Sequence, residues 1–133
     1  MTEEKLQKLK NLFYNDKFAT EAAGIELIDA GVGYARCEME IKPIHLNAAG
    51  TVMGGATFTL ADFTFAVASN YECMNTQSLT SQITFHSVPK GSRLISEAKC
   101  VKSGRSTCYY VITITDDLDR LVATVNITGF IKR

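Results

Sequence analysis

Hydrophobic and polar residues follow different periods along this chain of 133 residues. Near the N-terminus, Leu6, Leu9 and Phe13 recur at helical spacing among lysines, which predicts an amphipathic helix over about residues 3–18, lying on a surface. From Gly24 onward the period changes to two, which is typical of half-buried strands. We expect a short strand at 25–29 and a longer one at 33–41, separated by a turn that contains two glycines.

Four further strands are predicted in the second half of the chain. The first has one polar face, which carries Ser78, Thr80, Gln82, Thr84 and His86. A turn at 89–91 ends this strand. Runs at 93–102, 106–115 and 120–131 follow, separated by short turns, and predict an antiparallel meander.

Residues 54–70 form the most apolar segment and contain one charged residue, Asp62. Their period is ambiguous, but the length of the segment and its alanines favour a helix. Because only a helix buried on most sides can be apolar on most sides, we expect a core helix wrapped by a sheet. No linker or repeat divides the chain, so the sequence predicts a single α+β domain over residues 1–133, with an antiparallel sheet of five or six strands.

The composition limits the classes of partner. Lys plus Arg and Asp plus Glu number 14 each, so no net charge attracts nucleic acid or an anionic membrane. We find neither the apolar region of a signal peptide nor a stretch that could span a bilayer, and we expect a cytoplasmic protein. The four cysteines are expected to be reduced. With two distant histidines and no CxxC spacing, we expect neither a metal nor a cofactor.

Asp62 requires an explanation, because an ionised carboxylate is costly to bury without partners. It can lie on the one helix face that reaches solvent, accept structural hydrogen bonds or act as a catalytic base, and the residue alone leaves all three open. The preceding Gly54 and Gly55 would begin the helix with free N–H groups, whose partial positive charge suits an oxygen that becomes negative in a transition state. Two glycines alone equally fit an ordinary tight entry into a helix.

A set of residues at fixed spacing lies between positions 45 and 62: His45, Leu46, Asn47, Gly50, Gly54, Gly55, Leu60 and Asp62. This set resembles the signature HxNxxGxxHGGxxxxLxD of the PaaI-type branch of hotdog-fold acyl-CoA thioesterases. The resemblance extends over roughly residues 22–132. It implies a hotdog fold, with the sheet wrapped around the central helix, and hydrolysis of an acyl-CoA to a free acid and CoA.

The resemblance also implies roles for individual residues. The backbone N–H of Gly54 polarises the thioester carbonyl, Asn47 orients substrate or water, and Asp62 acts as general base or nucleophile. A hydroxyl on the following strand supports the water, and Ser78 matches it best. Thr80, predicted on the same face, is the alternative.

One position departs from the family pattern. Met53 stands where the family usually has a histidine before the two glycines, and a thioether cannot donate a hydrogen bond. The backbone donor and the carboxylate do not depend on that side chain, so we expect catalysis to survive, either at a lower rate or with an acyl group that prefers an apolar wall. We place His45, Gly55 and Phe58 beside Met53 among the substrate-binding residues.

The spacing along the helix predicts a shared active site. A rise of about 1.5 Å per residue separates Gly54 from Asp62 by roughly 12 Å, so they cannot act on one carbonyl within one subunit. The simplest solution is a two-fold homodimer whose site joins Gly54 and Asn47 of one chain to Asp62 and Ser78 of the other. The resemblance adds that such dimers commonly pair into tetramers.

Basic side chains near strand ends are candidate ligands for the phosphates of CoA, although surface Lys and Arg more often only contact solvent: Lys90, Arg93, Lys102 and Arg105. The acidic run at 116–119 lacks the glycine and distal glutamate of a calcium loop and is interpreted as a hairpin turn. Two other functions stay open. One is a non-catalytic acyl-CoA-binding or regulatory module, favoured by Met53, and the other is hydration or dehydration of enoyl thioesters, for which no His and acid pair is evident.

Overall fold

Six antiparallel strands form one curled sheet around a central helix, as the computed structural model shows for residues 1–133. The helices are α1 (Glu3–Phe13) and α2 (Gly54–Ser69), with a π-helical turn at Phe18–Ala22 and a 3-10 turn at Pro43–His45. The strands are β1 (Ile25–Gly31), β2 (Tyr34–Glu40), β3 (Thr76–Phe85), β4 (Arg93–Ser103), β5 (Thr107–Asp116) and β6 (Leu121–Ile131). This is the hotdog fold that the resemblance implied.

The order of the strands in the sheet is β1-β2-β4-β5-β6-β3, so β1 and β3 are the two edges. The predicted meander of the last three strands is confirmed by the pairing of β4 with β5 and of β5 with β6. The inner face of the sheet and α2 share one apolar core, whose completely buried members include Leu27, Met39, Leu60, Leu94, Ile112, Ile114 and Ile127.

The helix α2 is buried on most sides, as its composition predicted, but one face reaches solvent. The face carries Gly55, Phe58, Thr59, Asp62 and Ala66, spaced three or four residues apart. The opposite faces pack against the sheet. Asp62 therefore lies on the exposed face of an otherwise buried helix, the first of the three explanations that the sequence left open.

The N-terminal helix is shorter than predicted. Thr2 caps it by accepting a hydrogen bond from the Lys5 N–H (3.1 Å), and Phe13 is its last residue. The Asn15 side chain then donates to the Leu12 carbonyl (3.0 Å), which satisfies a terminal acceptor and ends the helix before residue 18. The ring of Phe13 packs edge-on against Phe63 of α2, with centroids 6.2 Å apart, and holds α1 to the core.

A β-bulge at Leu79 changes which side chains share a face of β3. Ser78 pairs with Gly129, whose neighbours include Phe65 of α2, while Thr80 pairs with Thr128 on the outer face of the sheet. Cross-strand neighbours point to the same side of a sheet, so Ser78 and Thr80 point to opposite sides. The prediction that they share a face is wrong, because an unpaired residue interrupts the alternation on which it relied.

The acidic turn between β5 and β6 is built around Asp116. This buried carboxylate accepts four backbone hydrogen bonds, from Lys90, Gly91, Leu118 and Arg120, at 2.8 to 3.1 Å. Burial acts to raise the pKa of Asp116, but the four donors outweigh it and lower the pKa to about 2. The carboxylate therefore joins the turn after β3 to the turn before β6.

Two further properties concern the whole chain. No helix is both long and apolar enough to cross a membrane. All of the cysteines are free: Cys37, Cys73, Cys100 and Cys108.

Candidate active site

The entry loop, residues 46–53, leads into α2 and is anchored by His45. Its ring is buried, its Nε2 lies 2.7 Å from the Ala23 carbonyl oxygen, and its Nδ1 accepts the Lys42 N–H at 3.0 Å. These two bonds fix the neutral tautomer with the proton on Nε2. Since both nitrogens bind protein groups, His45 presents only ring carbons to the neighbouring cavity. Its carbonyl oxygen also accepts the Met53 N–H (2.8 Å), which closes the loop.

Asn47 organises the same loop with its side chain. The carboxamide oxygen accepts the backbone N–H groups of Ala49 (3.0 Å) and Thr51 (3.1 Å), and the amide nitrogen donates to the Thr51 hydroxyl (3.1 Å). Gly50 occupies the left-handed region within this loop (φ 83°), which explains why glycine stands there. One N–H of the Asn47 amide has no partner and faces solvent with its exposed side chain.

Two unpaired backbone donors lie at the start of α2. The N–H groups of Gly54 and Gly55 donate no hydrogen bond, whereas those of Ala56 and Thr57 bind the Met53 carbonyl at 3.0 and 3.3 Å. Such donors at a helix N-terminus favour negative charge. A Cβ on Gly54 would lie 2.9 Å from the Phe85 ring, so glycine also permits the close contact between α2 and the end of β3.

A cavity of about 380 Å³ opens beside Gly54. Its wall runs from the entry loop to the segment after β3: Thr51, Val52, Gly54, Thr57, Phe85, His86, Ser87, Val88, Pro89 and Val122. Because β3 is an edge of the sheet, this cavity lies where a second chain could reach it.

A second cavity, of about 350 Å³, lies beside Gly55 and Met53. Its wall is mostly apolar and comes from the π-helical turn, the 3-10 turn and α2: Phe18, Ala22, Ala23, Ile44, His45, Met53, Gly55, Ala56 and Thr59. The Met53 side chain folds over Gly55, where a Cβ would lie 3.0 Å from the Met53 methyl group. The two cavities therefore flank the N-terminus of α2, and the second is suited to an apolar group.

Asp62 lies further along the exposed face of α2, in a cavity of about 410 Å³. Phe58, Phe63 and Thr59 surround it on the helix, and residues 16–19 form the opposite wall. The carboxylate accepts no hydrogen bond and forms no ion pair. Although the side chain reaches solvent, partial desolvation by these neighbours raises the pKa of Asp62, and the negative charge of Asp16 raises it further.

The structure brings some of the predicted site residues together and separates others. The predicted substrate-binding residues other than Thr80 lie near one another, in the loop before α2 and in the first turns of α2: His45, Met53, Gly55 and Phe58. Two predicted catalytic residues, Asn47 and Gly54, lie in the same region. Ser78 lies on the inner face of β3. Thr80 lies on the outer face, on the side of the sheet away from α2.

The candidate phosphate ligands do not form one cluster. Lys90 is exposed and comes directly after Pro89, which lines the cavity beside Gly54. Arg93, in contrast, pairs with Glu38 at 3.5 Å. Arg105 lies in the turn after β4, an 11-residue strand that begins at Arg93. At about 3.3 Å per residue, β4 separates the two arginines by roughly 30 Å, so they cannot bind the same phosphate group within one subunit.

Several residues of the cavity walls were not predicted from the sequence, among them Thr59 and Phe18. Thr59 lies one turn before Asp62 on the same helix face, and the spacing of three residues could have identified it. Phe18, which lines both the cavity of Asp62 and that of Met53, lies outside the helix and far away in sequence. No local pattern could have placed it there.

Comparison with known proteins identifies the family of the chain. The model of the thioesterase superfamily matches residues 49–123. A protein of Archaeoglobus fulgidus described as a candidate esterase is 32% identical over 119 residues, covering 89% of this chain and 77% of that protein. The acyl-coenzyme A thioesterase PaaI of Escherichia coli is 29% identical over 124 residues, covering 92% of this chain and 88% of that protein.

Solved structures show the same fold. The E. coli PaaI protein of the phenylacetic acid degradation operon superposes with a TM-score of 0.87 at 24% identity, covering 100% of this chain and 97% of its own. A Streptococcus mutans protein bound to acetyl-CoA has a TM-score of 0.75 at 26% identity, covering 81% of this chain and 88% of its own. By fold, sequence match and the residues around α2, the chain belongs to the PaaI-like branch of the thioesterase superfamily.

Proposed function

We propose that this protein hydrolyses acyl-CoA thioesters, with the N–H of Gly54 as oxyanion donor and Asp62 as general base. The observation that carries the proposal is that both groups are unpaired and each borders a cavity beside the same helix. The curated relatives include acyl-CoA thioesterases, and a structural neighbour holds acetyl-CoA. Neither group has a structural partner that would explain it otherwise.

The chemistry needs only these two groups and water. Asp62 accepts a proton from water, whose oxygen adds to the thioester carbonyl carbon, while the carbonyl oxygen becomes negative and accepts the Gly54 N–H. Collapse of this intermediate breaks the carbon–sulfur bond, and the departing thiolate takes the proton from Asp62. The products are a carboxylic acid and CoA. The free amide N–H of Asn47 and the hydroxyl of Ser78 are proposed to orient the water.

The two groups act in one site if two subunits share it. Eight residues separate Gly54 from Asp62 on α2, or about 12 Å along the axis. The edge strand β3 supports a dimer, because its ten residues contain no charge or proline that would prevent pairing with a second copy. Since the cavity beside Gly54 opens at the end of β3, pairing of two β3 strands would bring the partner's helix toward it. We propose this homodimer, and its pairing into a tetramer, as the active assembly.

The two cavities beside the helix N-terminus suggest where the substrate lies. The apolar cavity beside Met53 suits the acyl group, because Phe18, Ile44 and Met53 expose large apolar side chains around it. The cavity beside Gly54 suits the pantetheine arm, with Lys90 near its outer end for a phosphate. Arg93 and Arg105 are the weaker candidates, since the first is already paired and the second is distant.

The competing functions make different demands on the site. Hydration of an enoyl thioester generally requires a histidine acid or base. Both nitrogens of His45 bind protein atoms, and the Nε2 of His86, a residue in the wall of the cavity beside Gly54, binds the Thr124 hydroxyl (2.9 Å). A non-catalytic acyl-CoA-binding module remains the second candidate, favoured by Met53 in place of the family's histidine.

The test is hydrolysis of a panel of acyl-CoA esters, with detection of the released thiol, by wild type and Asp62→Asn. We expect wild-type turnover and a loss of about 10² to 10⁴ in kcat for the variant, with little change in the binding of CoA. Glu3→Gln is the control, because it removes an exposed carboxylate of α1 that lines none of the three cavities. Full activity of Asp62→Asn would refute the mechanism, and tight binding without turnover by wild type would favour the binding module.

A further inference from the structure

We propose that Asp16 is a positioning residue of the catalytic site, which acts on Asp62 through its negative charge across a cavity that the two residues share. This inference rests on the proposed role of Asp62 and extends it to the segment between α1 and β1. Asp16 and Asp62 line the same cavity of about 410 Å³ from opposite walls.

The charges around this cavity leave the two carboxylates without a counterion. Lys17 is the only cation that lines it, and its ammonium pairs with Glu21 of the π-helical turn at 3.2 Å. The remaining wall residues are uncharged: Phe18, Ala19, Phe58, Thr59 and Phe63. Two like charges that face one cavity repel each other, so the charge of Asp16 disfavours ionisation of Asp62.

The backbone holds Asp16 in place while its side chain stays free. Its N–H donates to the Phe13 carbonyl (2.9 Å), and its own carbonyl accepts the N–H (3.0 Å) and the hydroxyl (2.9 Å) of Thr20. The carboxylate of Asp16 accepts no hydrogen bond, so it caps no helix and stabilises no turn. Its charge can therefore be removed without removing a structural contact.

The consequence for Asp62 follows from the same cavity. Burial beside the aromatic rings raises the pKa of its carboxyl, and the charge of Asp16 is the second cause of that rise. A general base removes a proton from water more effectively as its pKa approaches the working pH. Asp16 would thus tune catalysis without touching the substrate.

The experiment compares wild type with Asp16→Asn by two readouts in the intact protein. The carboxyl carbon of Asp62, assigned by its absence in Asp62→Asn, is titrated by NMR, and the pH profile of kcat/KM is measured on an acyl-CoA ester. We expect both midpoints to move to lower pH in Asp16→Asn and further in Asp16→Lys. At high salt the difference should shrink, because screening weakens interactions between charges that reach solvent.

Glu3→Gln is the matched control, since it removes the same charge from the first turn of α1, outside the cavity. An NMR midpoint of Asp62 that is the same in wild type and Asp16→Asn, or that moves equally in Glu3→Gln, would overturn the proposal. The NMR titration does not depend on turnover. A shift there together with full activity of Asp62→Asn would therefore reject the proposed mechanism while the coupling between the two carboxylates stands.

Discussion

Asp116 gives the sharpest stability prediction, because one buried carboxylate holds two turns together. Its Oδ1 accepts the N–H groups of Leu118 and Arg120, and its Oδ2 accepts those of Lys90 and Gly91. Asp116→Asn keeps one oxygen and turns an NH₂ group toward two N–H donors, so two of the four hydrogen bonds are lost. At about 1.5 to 3 kcal/mol for each bond to a charged group, the loss of two bonds should cost the variant about 3 to 6 kcal/mol of unfolding free energy.

The assay is chemical denaturation of Asp116→Asn beside Asp119→Asn, which makes the same substitution in the same turn. Asp119 is exposed, has no side-chain hydrogen bond and lies at φ 60°, a region that asparagine tolerates. We expect the control to stay within about 0.5 kcal/mol of wild type. Equal midpoints and slopes for the two variants would refute the reasoning that the four hydrogen bonds stabilise the fold.

The remaining predictions concern pH and the substrate pocket. Because the pKa of Asp116 is about 2 in the folded protein against an ordinary 3.8, its stabilisation is complete above the ordinary value and is lost as the pH falls toward 2. Between pH 3.8 and about 2, the free energy of unfolding measured by denaturation should therefore change less with pH in Asp116→Asn than in wild type. Met53→His restores a hydrogen-bond donor worth about 1 kcal/mol, so kcat/KM should rise about fivefold for short polar acyl groups and fall for long apolar ones. Measurement of kcat/KM on a panel of acyl-CoA esters tests this prediction. If Met53→His and wild type rank the esters in the same order, the acyl group does not lie beside Met53.

The sequence predicted those parts of the fold that depend on composition over a long segment. The helix at 54–70 was predicted from its alanines and its uniform apolarity, and α2 spans Gly54–Ser69. The strands were predicted from alternation, which holds wherever pairing is regular. At Leu79 the alternation fails, because the bulge is decided by pairing with β6, a strand about fifty residues further along the chain. Thr80 was consequently assigned to the wrong face.

In the candidate site, too, the sequence predicted only the residues that lie close together along the chain. The spacing from His45 to Asp62 was visible, and the structure gives several of these residues a local reason, such as the left-handed backbone at Gly50. The wall formed by Asp16 and Phe18 was not visible, because it comes from a segment that no periodicity connects to α2. The role of Asp116 was missed for a similar reason: its donors include Lys90 and Gly91, which lie 26 and 25 residues away.

The central claim, that each active site joins Gly54 of one subunit to Asp62 of the other, can be tested by mixing two inactive variants. Gly54→Pro removes the N–H at the first position of α2, where proline fits a helix, and Met53 before it already has the extended backbone (φ −64°, ψ 137°) that proline requires. Gly54→Ala is its control, since it places a similar Cβ against Phe85 but keeps the donor.

Each homodimer of Gly54→Pro or Asp62→Asn should be almost inactive. After the subunits are unfolded together and refolded as an equimolar mixture, half of the dimers are mixed, and each mixed dimer has one intact and one doubly altered site. The refolded mixture should therefore recover about a quarter of wild-type activity. No recovery in a mixture that is shown to contain mixed dimers would mean that both groups act within one subunit, and would contradict the account.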